Sequence, residues 1–140
     1  RLLCASEQPG VPEYEIEIAE PGAYRLPTGM QLIFSVGNER LEEDDDTVLF
    51  PANQLPFPLQ VRSPRAGDRF QPSGMTGTKL LKDYFVDTKI DRESRQRTPV
   101  VWSGEEIIWL AGRRRCEQFR PAQGEKLLKI TLVKPKQAVE

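Results

Sequence analysis

Short apolar segments alternate along this chain with glycine and proline, and none of them is long enough for a large helix. The 140 residues include ten glycines and twelve prolines. Residues 14–18 alternate apolar and charged side chains ahead of a Pro21-Gly22 turn, which is the pattern of a half-buried strand. The same reasoning predicts about eight strands, at residues 14–18, 24–26, 30–36, 47–50, 59–62, 100–102, 107–110 and 126–133. Because no strand–helix–strand repeat is visible, we expect a β-rich α+β domain with a β-sandwich-like core of two packed layers.

Two short helices are predicted in the middle of the chain. Residues 79–88 place four apolar side chains on one helical face, and Thr78 stands where an N-cap residue would accept a backbone hydrogen bond. A second helix is expected from Asp91 to before Pro99, because the residue preceding a proline disfavours the α conformation. Residues 51–55 resemble a single helical turn. We therefore expect residues 14–134 to form one domain, preceded by a linker at 1–13 and followed by a tail at 135–140.

The net charge of −1 conceals an uneven distribution along the chain. Residues 1–61 hold three cationic and eleven acidic side chains, whereas residues 62–140 hold seventeen cationic and ten acidic ones. Attraction to a polyanion depends on such local clusters rather than on the total charge. The second half of the chain is therefore the candidate for nucleic-acid binding.

The densest cationic stretch runs from residue 62 to residue 97. Lys79 and Lys82 are three residues apart, and so are Arg92 and Arg95, so each pair projects from one side of its predicted helix. Ordinary solvated helix faces look the same, so charge alone does not decide. The candidate RNA-binding residues, which include one member of a later arginine triplet, are Arg62, Arg65, Arg69, Lys79, Lys82, Lys89, Arg92, Arg95, Arg97 and Arg113.

Glycine turns separate the basic residues of this stretch. Asp68 is expected to hold the turn at Gly67 by hydrogen-bonding backbone N–H groups, and a catalytic role is the less favoured alternative because no titratable partner is near it in sequence. Gly74 and Gly77 allow either two simple turns or a loop that offers N–H groups to a phosphate. Four aromatic residues in or after this stretch are expected in the core rather than as base-stacking platforms: Tyr84, Phe85, Trp102 and Trp109.

Several kinds of chemistry find no support in the sequence. The chain has no histidine, and Cys4 and Cys116 have no neighbours at metal-ligand spacing, so we predict no metal site and a reduced cysteine pair rather than a bridge. The acidic run at 39–46 lacks the ordered spacing of a calcium loop, and we expect a solvated hairpin tip. No apolar run approaches bilayer length and no signal peptide is visible, so a cytoplasmic location is expected. A start at Arg1 suggests a piece of a longer protein.

The central stretch resembles a known family. The order R-x-x-R-x-G-D-R-F-x-P-x-G-M-x-G followed by K-L-L-K-D-Y-F-x-D-x-K-I is similar to the C-terminal domain of bacterial tRNA(Ile)-lysidine synthetase, with further similarity from about residue 14 to residue 113. Two departures stand out, since Leu80 replaces a second lysine and Asp91 replaces a common proline. The matching positions are Arg62, Gly67, Asp68, Arg69, Gly74, Gly77, Lys79, Lys82, Asp83, Lys89, Arg95 and Pro99.

This resemblance implies a fold and a role. The fold would be a β-sandwich of the kind also found in the β subunit of phenylalanyl-tRNA synthetase. Members of the family use ATP, with magnesium, to attach lysine to the wobble cytidine of the isoleucine tRNA whose anticodon is CAU. That chemistry belongs to an N-terminal domain with a Ser-Gly-Gly-x-Asp-Ser signature, which these residues lack, so no cofactor and no catalysis are expected in this chain alone. The resemblance implies a domain that grips tRNA near its acceptor stem.

Two other functions stay open at this point. The domain could instead dock on upstream domains of its own protein or form a homodimer, with its cations facing acidic surface such as residues 39–46. A free-standing enzyme is the weakest alternative.

Overall fold

The computed structural model describes residues 13–38, 42–65, 67–121 and 124–134. Within them the chain forms eleven strands, two α-helices and one 3-10 turn. The strands are β1 (Glu15–Ile18), β2 (Gly22–Arg25), β3 (Gln31–Gly37), β4 (Thr47–Pro51), β5 (Leu59–Arg62), β6 (Arg69–Phe70), β7 (Lys79–Leu80), β8 (Val100–Ser103), β9 (Glu106–Leu110), β10 (Arg114–Arg115) and β11 (Leu127–Val133). The helices are α1 (Leu81–Asp87) and α2 (Arg92–Gln96), and the 3-10 turn covers Ala52–Gln54.

The strands pair into two main antiparallel sheets and one small hairpin. The five-stranded sheet has the order β10-β9-β8-β5-β1, and the four-stranded sheet has the order β2-β3-β11-β4. Strands β6 and β7 form a separate pair. The longest register runs along β3 and β11, from Gln31 opposite Val133 to Gly37 opposite Leu127.

The two main sheets enclose the principal hydrophobic core. Leu32 and Phe34 of β3 lie on its four-stranded side, opposite Leu59 and Val61 of β5 on the five-stranded side, and all four are buried. Alternation along each strand produces this arrangement, because residues two apart share a face. The predicted β-rich sandwich with two packed layers is confirmed.

A second core lies on the other face of the five-stranded sheet. Phe70 of β6 and three side chains of α1 pack there against Val100, Trp102, Ile107 and Leu110. The register between β8 and β9 shifts at Ile108, which points into the principal core instead. This second core fixes α1 and the β6–β7 hairpin, and with them the basic segment, on the outside of the sandwich.

The eight predicted strands are all present within a few residues, and three short ones were not expected. Strands β6, β7 and β10 have two residues each, too few to show an alternating pattern. The expected Thr78 cap is wrong, because residues 79 and 80 continue as strand and Leu80 is the residue before the helix. The Thr78 hydroxyl instead accepts a hydrogen bond from Arg69 at 3.4 Å. Asp91 precedes α2 in an extended conformation, so the absent proline does not prevent that helix from starting.

Some predictions fall outside the described residues. Those are the linker up to residue 12, the tail at 135–140 and the first part of the acidic run, residues 39–41. In the described part of the chain, no helix is long and apolar enough to cross a membrane.

Candidate nucleic-acid interface

Three of the predicted cations come together beside α1. Arg65, Lys82 and Arg95, which are distant in sequence, line one cleft of about 180 Å³. We call it the first basic cleft. Its other lining residues are apolar or neutral, namely Pro64, Leu81, Phe85 and Gln96. No carboxylate is among the described residues that line it, so its lining offers positive charge to an anion, although Glu15 lies 3.2 Å from Arg65.

The turn at Gly67 places Arg65 at this cleft. The Arg65 N–H donates to Oδ2 of Asp68 at 3.0 Å, and the Asp68 N–H donates back to the Arg65 carbonyl at 3.1 Å. Gly67 has φ of +96°, a conformation that favours glycine. The Asp68 carbonyl also accepts the Leu81 N–H at 2.7 Å, which connects the turn to the first residue of α1. Asp68 therefore fixes the position of Arg65 relative to Lys82.

Helix α1 turns Lys82 outward because its apolar residues face the second core. Leu81, Tyr84 and Phe85 are buried, whereas Lys82 is exposed. Arg95 of α2 is partly anchored, since its Nε donates to the Ile90 carbonyl at 2.7 Å. The cleft is thus built on packed elements rather than on a free loop.

Three of the ten predicted cations pair with carboxylates. Arg65 lies 3.2 Å from Glu15, Arg97 lies 3.2 Å from Glu93, and Lys79 pairs with Asp87. In each pair at least one partner is well exposed, and such surface pairs contribute little stability, so a phosphate can take the place of the carboxylate. Of the ten predicted cations, those that are exposed and have no carboxylate partner among the described residues are Arg69, Lys82, Lys89 and Arg92.

Arg62 is placed differently from the other candidates. Its guanidinium stacks on the Trp102 ring, 3.9 Å from the ring centroid, and it does not line the first basic cleft. Its Nε is buried and has no hydrogen-bond partner among the described residues. The Nε1 of Trp102 is likewise buried and has no hydrogen-bond partner among the described residues. Arg62 is thus built into the outer face of the five-stranded sheet.

A second group of cations lies on the far side of α2. Arg97, Arg113 and Lys134 line a cleft of about 160 Å³, which we call the second basic cleft. Arg113 is held there by a 2.9 Å bond from its Nε to the Thr98 hydroxyl. Lys134 lies 3.9 Å from a carboxylate oxygen of Asp46. Sequence reasoning missed Lys134, because it follows the last strand and no motif points to it.

The three consecutive arginines, Arg113, Arg114 and Arg115, do not form one surface cluster. Arg114 donates to the hydroxyl and the carbonyl of Ser73, at 3.3 and 2.8 Å. Arg115 is buried and pairs with Glu43 at 2.6 Å. Of the three, Arg113 alone lines the second basic cleft.

The acidic run is partly structural rather than a solvated tip. Glu43 pairs with Arg115 and also accepts the Leu49 N–H at 2.9 Å. Asp44 accepts the Asp46 N–H at 2.8 Å. Residues 42–45 are nonetheless exposed, as expected for a solvated tip, and the contacts of Glu43 are what that expectation missed. Over the described ranges, no cluster of acidic or cysteine side chains could hold a metal ion.

Gly74 does not offer its N–H to a ligand. That group donates to Oε1 of Glu117 at 2.6 Å, and this hydrogen bond, with help from Arg120, lowers the pKa of the Glu117 carboxyl. Gly74 has φ of +84°, whereas Gly77 has no positive φ. Of the two alternatives for this loop, simple turns describe Gly74 better than a phosphate-binding loop.

The aromatic residues and the cysteine lie in the interior. Tyr84, Phe85, Trp102 and Trp109 are all buried, so the prediction that they form core rather than stacking platforms is confirmed. Cys116 is a free, buried thiol, and burial raises its pKa to about 11. Cys4 lies outside the described residues.

Comparison with known proteins gives a consistent result. The family described as the TilS substrate C-terminal domain matches residues 59–132. A tRNA(Ile)-lysidine synthase of Geobacter sulfurreducens is 32% identical over 123 residues, which are 86% of this chain and 26% of that protein. One of Symbiobacterium thermophilum is 41% identical over 80 residues, covering 57% of this chain and 17% of its own length. The chain thus spans about a quarter or less of these relatives.

A solved structure supports the same assignment. The crystal structure of a TilS C-terminal domain matches this fold with a TM-score of 0.79 at 27% identity, over 90% of this chain and all of that one. The family match covers more than half of the chain and includes all residues that line the two basic clefts, apart from Met30 and Lys134. On this evidence the chain belongs to the family of TilS C-terminal domains, from the tRNA(Ile)-lysidine synthases.

Proposed function

We propose that this chain is the tRNA-recognition domain of a tRNA(Ile)-lysidine synthase and grips the ribose-phosphate backbone with the face formed by the β6–β7 hairpin, α1 and α2. The observation that carries the proposal is the first basic cleft. Three cations from three separate elements converge there without a carboxylate in the lining. Phosphate contacts of this kind supply most of the affinity of proteins for nucleic acids.

The rest of the reaction is assigned to other parts of the parent protein. The relatives are named tRNA(Ile)-lysidine synthases, and this chain matches only a fraction of their length. We propose that upstream domains bind ATP with magnesium and join lysine to the wobble cytidine of the CAU-anticodon isoleucine tRNA in the cytoplasm. The present domain would hold the acceptor-stem side of that tRNA and would need no cofactor of its own.

Binding of tRNA at several salt concentrations tests the proposal. We expect the chain to bind tRNA with a dissociation constant in the micromolar range, and the affinity to fall steeply with salt. The double variant Arg69→Glu with Lys82→Glu should flatten the slope of log affinity against log salt by about one unit per lost contact. Fluorescence anisotropy of labelled tRNA gives this slope.

A control on another part of the molecule separates the basic face from general charge. Lys129→Glu changes a lysine of β11 that lines neither basic cleft, and it should leave the slope nearly unchanged. If the double variant binds tRNA as well as the parent at every salt concentration, the proposed surface is wrong. Release of ADP or AMP from ATP by this chain alone would revive the enzyme alternative.

The docking alternative also has an observation in its favour. Val86 on α1 is 57% exposed, and it lies next to Asp87, which already pairs with Lys79. An apolar side chain beside an ion pair suits a protein interface. Sedimentation velocity distinguishes the two functions: a stable dimer that Val86→Asp dissociates would favour docking, and a monomer that binds tRNA would favour the proposal.

A further inference from the structure

Helix α2 separates the two basic clefts. Its residues differ by about 100° around the helix axis for each step along the chain. Arg95 and Gln96 border the first basic cleft, whereas Ser94 and Arg97 border the second. The midpoints of these two pairs are therefore about 180° apart. The clefts flank α2 on opposite sides.

This helix stands out from the surface as a ridge. None of its five residues is buried, and Ser94 and Arg95 are the least exposed of them. The outward side consequently carries Glu93 and Gln96. An α-helix with its side chains is about 10–12 Å wide. The face thus presents a ridge of that width with a row of cations on each side.

We propose, on the basis of the proposed function, that α2 lies in the minor groove of a double-stranded RNA stem, with the two phosphate rows of the groove in the two basic clefts. An RNA double helix has a deep, narrow major groove and a wide, shallow minor groove. A ridge of this width fits the second and not the first. The first basic cleft then holds phosphates of one strand, through Arg65, Lys82 and Arg95, and the second holds the other strand, through Arg97, Arg113 and Lys134.

The outward side chains of α2 meet the floor of this groove. The minor groove of RNA displays 2′-hydroxyl groups, which both donate and accept hydrogen bonds. The Gln96 amide matches them with a donor and an acceptor. Glu93 also accepts hydrogen bonds, but its charge opposes the phosphates, which its pair with Arg97 at 3.2 Å partly offsets. A domain that recognises the 2′-hydroxyl groups and the shape of the groove discriminates RNA duplexes from DNA duplexes without reading their sequence.

Three ligands and four variants test this geometry. The ligands are a short RNA hairpin stem, the DNA hairpin of the same sequence, and an unpaired RNA strand of equal length. The variants are Lys82→Gln in the first basic cleft, Lys134→Gln in the second, Gln96→Ala on the ridge, and Lys129→Gln as the control outside both. Thermal melts of each variant check that it folds as the parent does.

We expect the RNA stem to bind more tightly than the DNA stem and the unpaired strand. Lys82→Gln and Lys134→Gln should each lower the salt slope for the RNA stem by about one unit, and Lys129→Gln should not. Gln96→Ala should reduce the preference for RNA over DNA while the salt slope stays the same. A merely structural role of Gln96 would not produce that combination.

The contrary outcomes are distinct. If Lys82→Gln lowers the slope but Lys134→Gln does not, the minor-groove placement is overturned and the proposed function stands. Equal binding of the RNA and DNA stems also overturns the placement. If neither substitution changes the slope, the proposed function fails together with this inference.

Discussion

At the scale of single residues, Arg115 shows how a charged side chain can belong to the core. It is 7% exposed, yet the three nitrogens of its guanidinium donate hydrogen bonds to Glu43 and to four backbone carbonyls. It also lies over the Phe50 ring, 4.5 Å from the centroid. A buried cation costs free energy unless its donors are satisfied, and here all of these bonds compensate that cost. Arg115 therefore ties β10 to β4 and to the acidic run.

Replacing this arginine should destabilise the fold strongly. Arg115→Met removes five hydrogen bonds and leaves buried carbonyls without donors, so we expect the free energy of unfolding to fall by roughly 3 kcal/mol. Urea denaturation measures this difference. Arg120→Met removes an exposed arginine with a surface pair and is the matched control, which should leave stability nearly unchanged. Similar midpoints for both variants would contradict the structural role of Arg115.

Cys116 makes the stability of the fold depend on pH under alkaline conditions. Burial raises the pKa of its thiol from 9.0 to about 11. The unfolded chain therefore loses this proton at lower pH than the folded one, so the contribution of Cys116 is complete below pH 9 and is lost as pH rises through about 11. In a Cys4→Ser background we expect the free energy of unfolding to fall by about 2 kcal/mol as pH rises from 9 to about 11, relative to the same protein with Cys116→Ala. Equal pH dependence of the two proteins would show that the thiol is not shielded.

At the scale of elements, the packing of α1 decides which way the basic residues face. Phe85 is 3% exposed in the second core, whereas its neighbour Val86 is 57% exposed. Only one face of the helix is apolar enough to be buried, so Lys82 has to lie at the surface. The sheet beneath α1 thereby positions the first basic cleft.

Adjacent substitutions on α1 test this arrangement. Phe85→Ala should lower the free energy of unfolding by roughly 3 kcal/mol, because it leaves a cavity against the five-stranded sheet. Val86→Ala removes an exposed side chain and should change it by less than about 0.5 kcal/mol. Thermal or urea unfolding of both variants gives the comparison. A small effect of Phe85→Ala would mean that α1 is not anchored as described.

The longer elements could be predicted from sequence, and the two-residue strands could not. Residues 30–36 and 126–133 alternate clearly, and they became the paired strands β3 and β11. Residues 79–80 carry too little pattern to reveal a two-residue strand, so the helix was predicted to start too early and Thr78 was wrongly taken as its cap. The hairpin partner of that strand, at Arg69–Phe70, is ten residues away, and only the fold brings the two together.

The same limit applies to the site. The motif around residues 62–97 singled out the candidate cations, but charge spacing along the chain does not show which of them share a cleft. Arg65, Lys82 and Arg95 meet because a turn, a helix and a second helix converge. The interior position of Arg115 was not predicted because burial of a charge has no signature in sequence, and Lys134 joins a cleft only through the path of the last strand.

At the scale of the whole molecule, the principal core and the basic segment proposed to bind tRNA occupy different parts of the sandwich. The principal core lies between the two main sheets, and the basic segment is built on the outer face of one of them. The first half of the chain contributes most of the four-stranded sheet, on the opposite side of the sandwich. Its carboxylates are not confined to that side, since Glu15 pairs with Arg65 and Asp46 lies 3.9 Å from Lys134.

The most direct test of the account is a map of the tRNA-binding face. Amide NMR spectra of the chain, recorded during titration with isoleucine tRNA, report which residues change their surroundings. We expect the changes to concentrate at residues 65–98 and near Arg113 and Lys134, and to weaken together as salt is raised. Changes confined to the four-stranded sheet, or none at all at low salt, would contradict the central claim that the basic face of this domain holds tRNA.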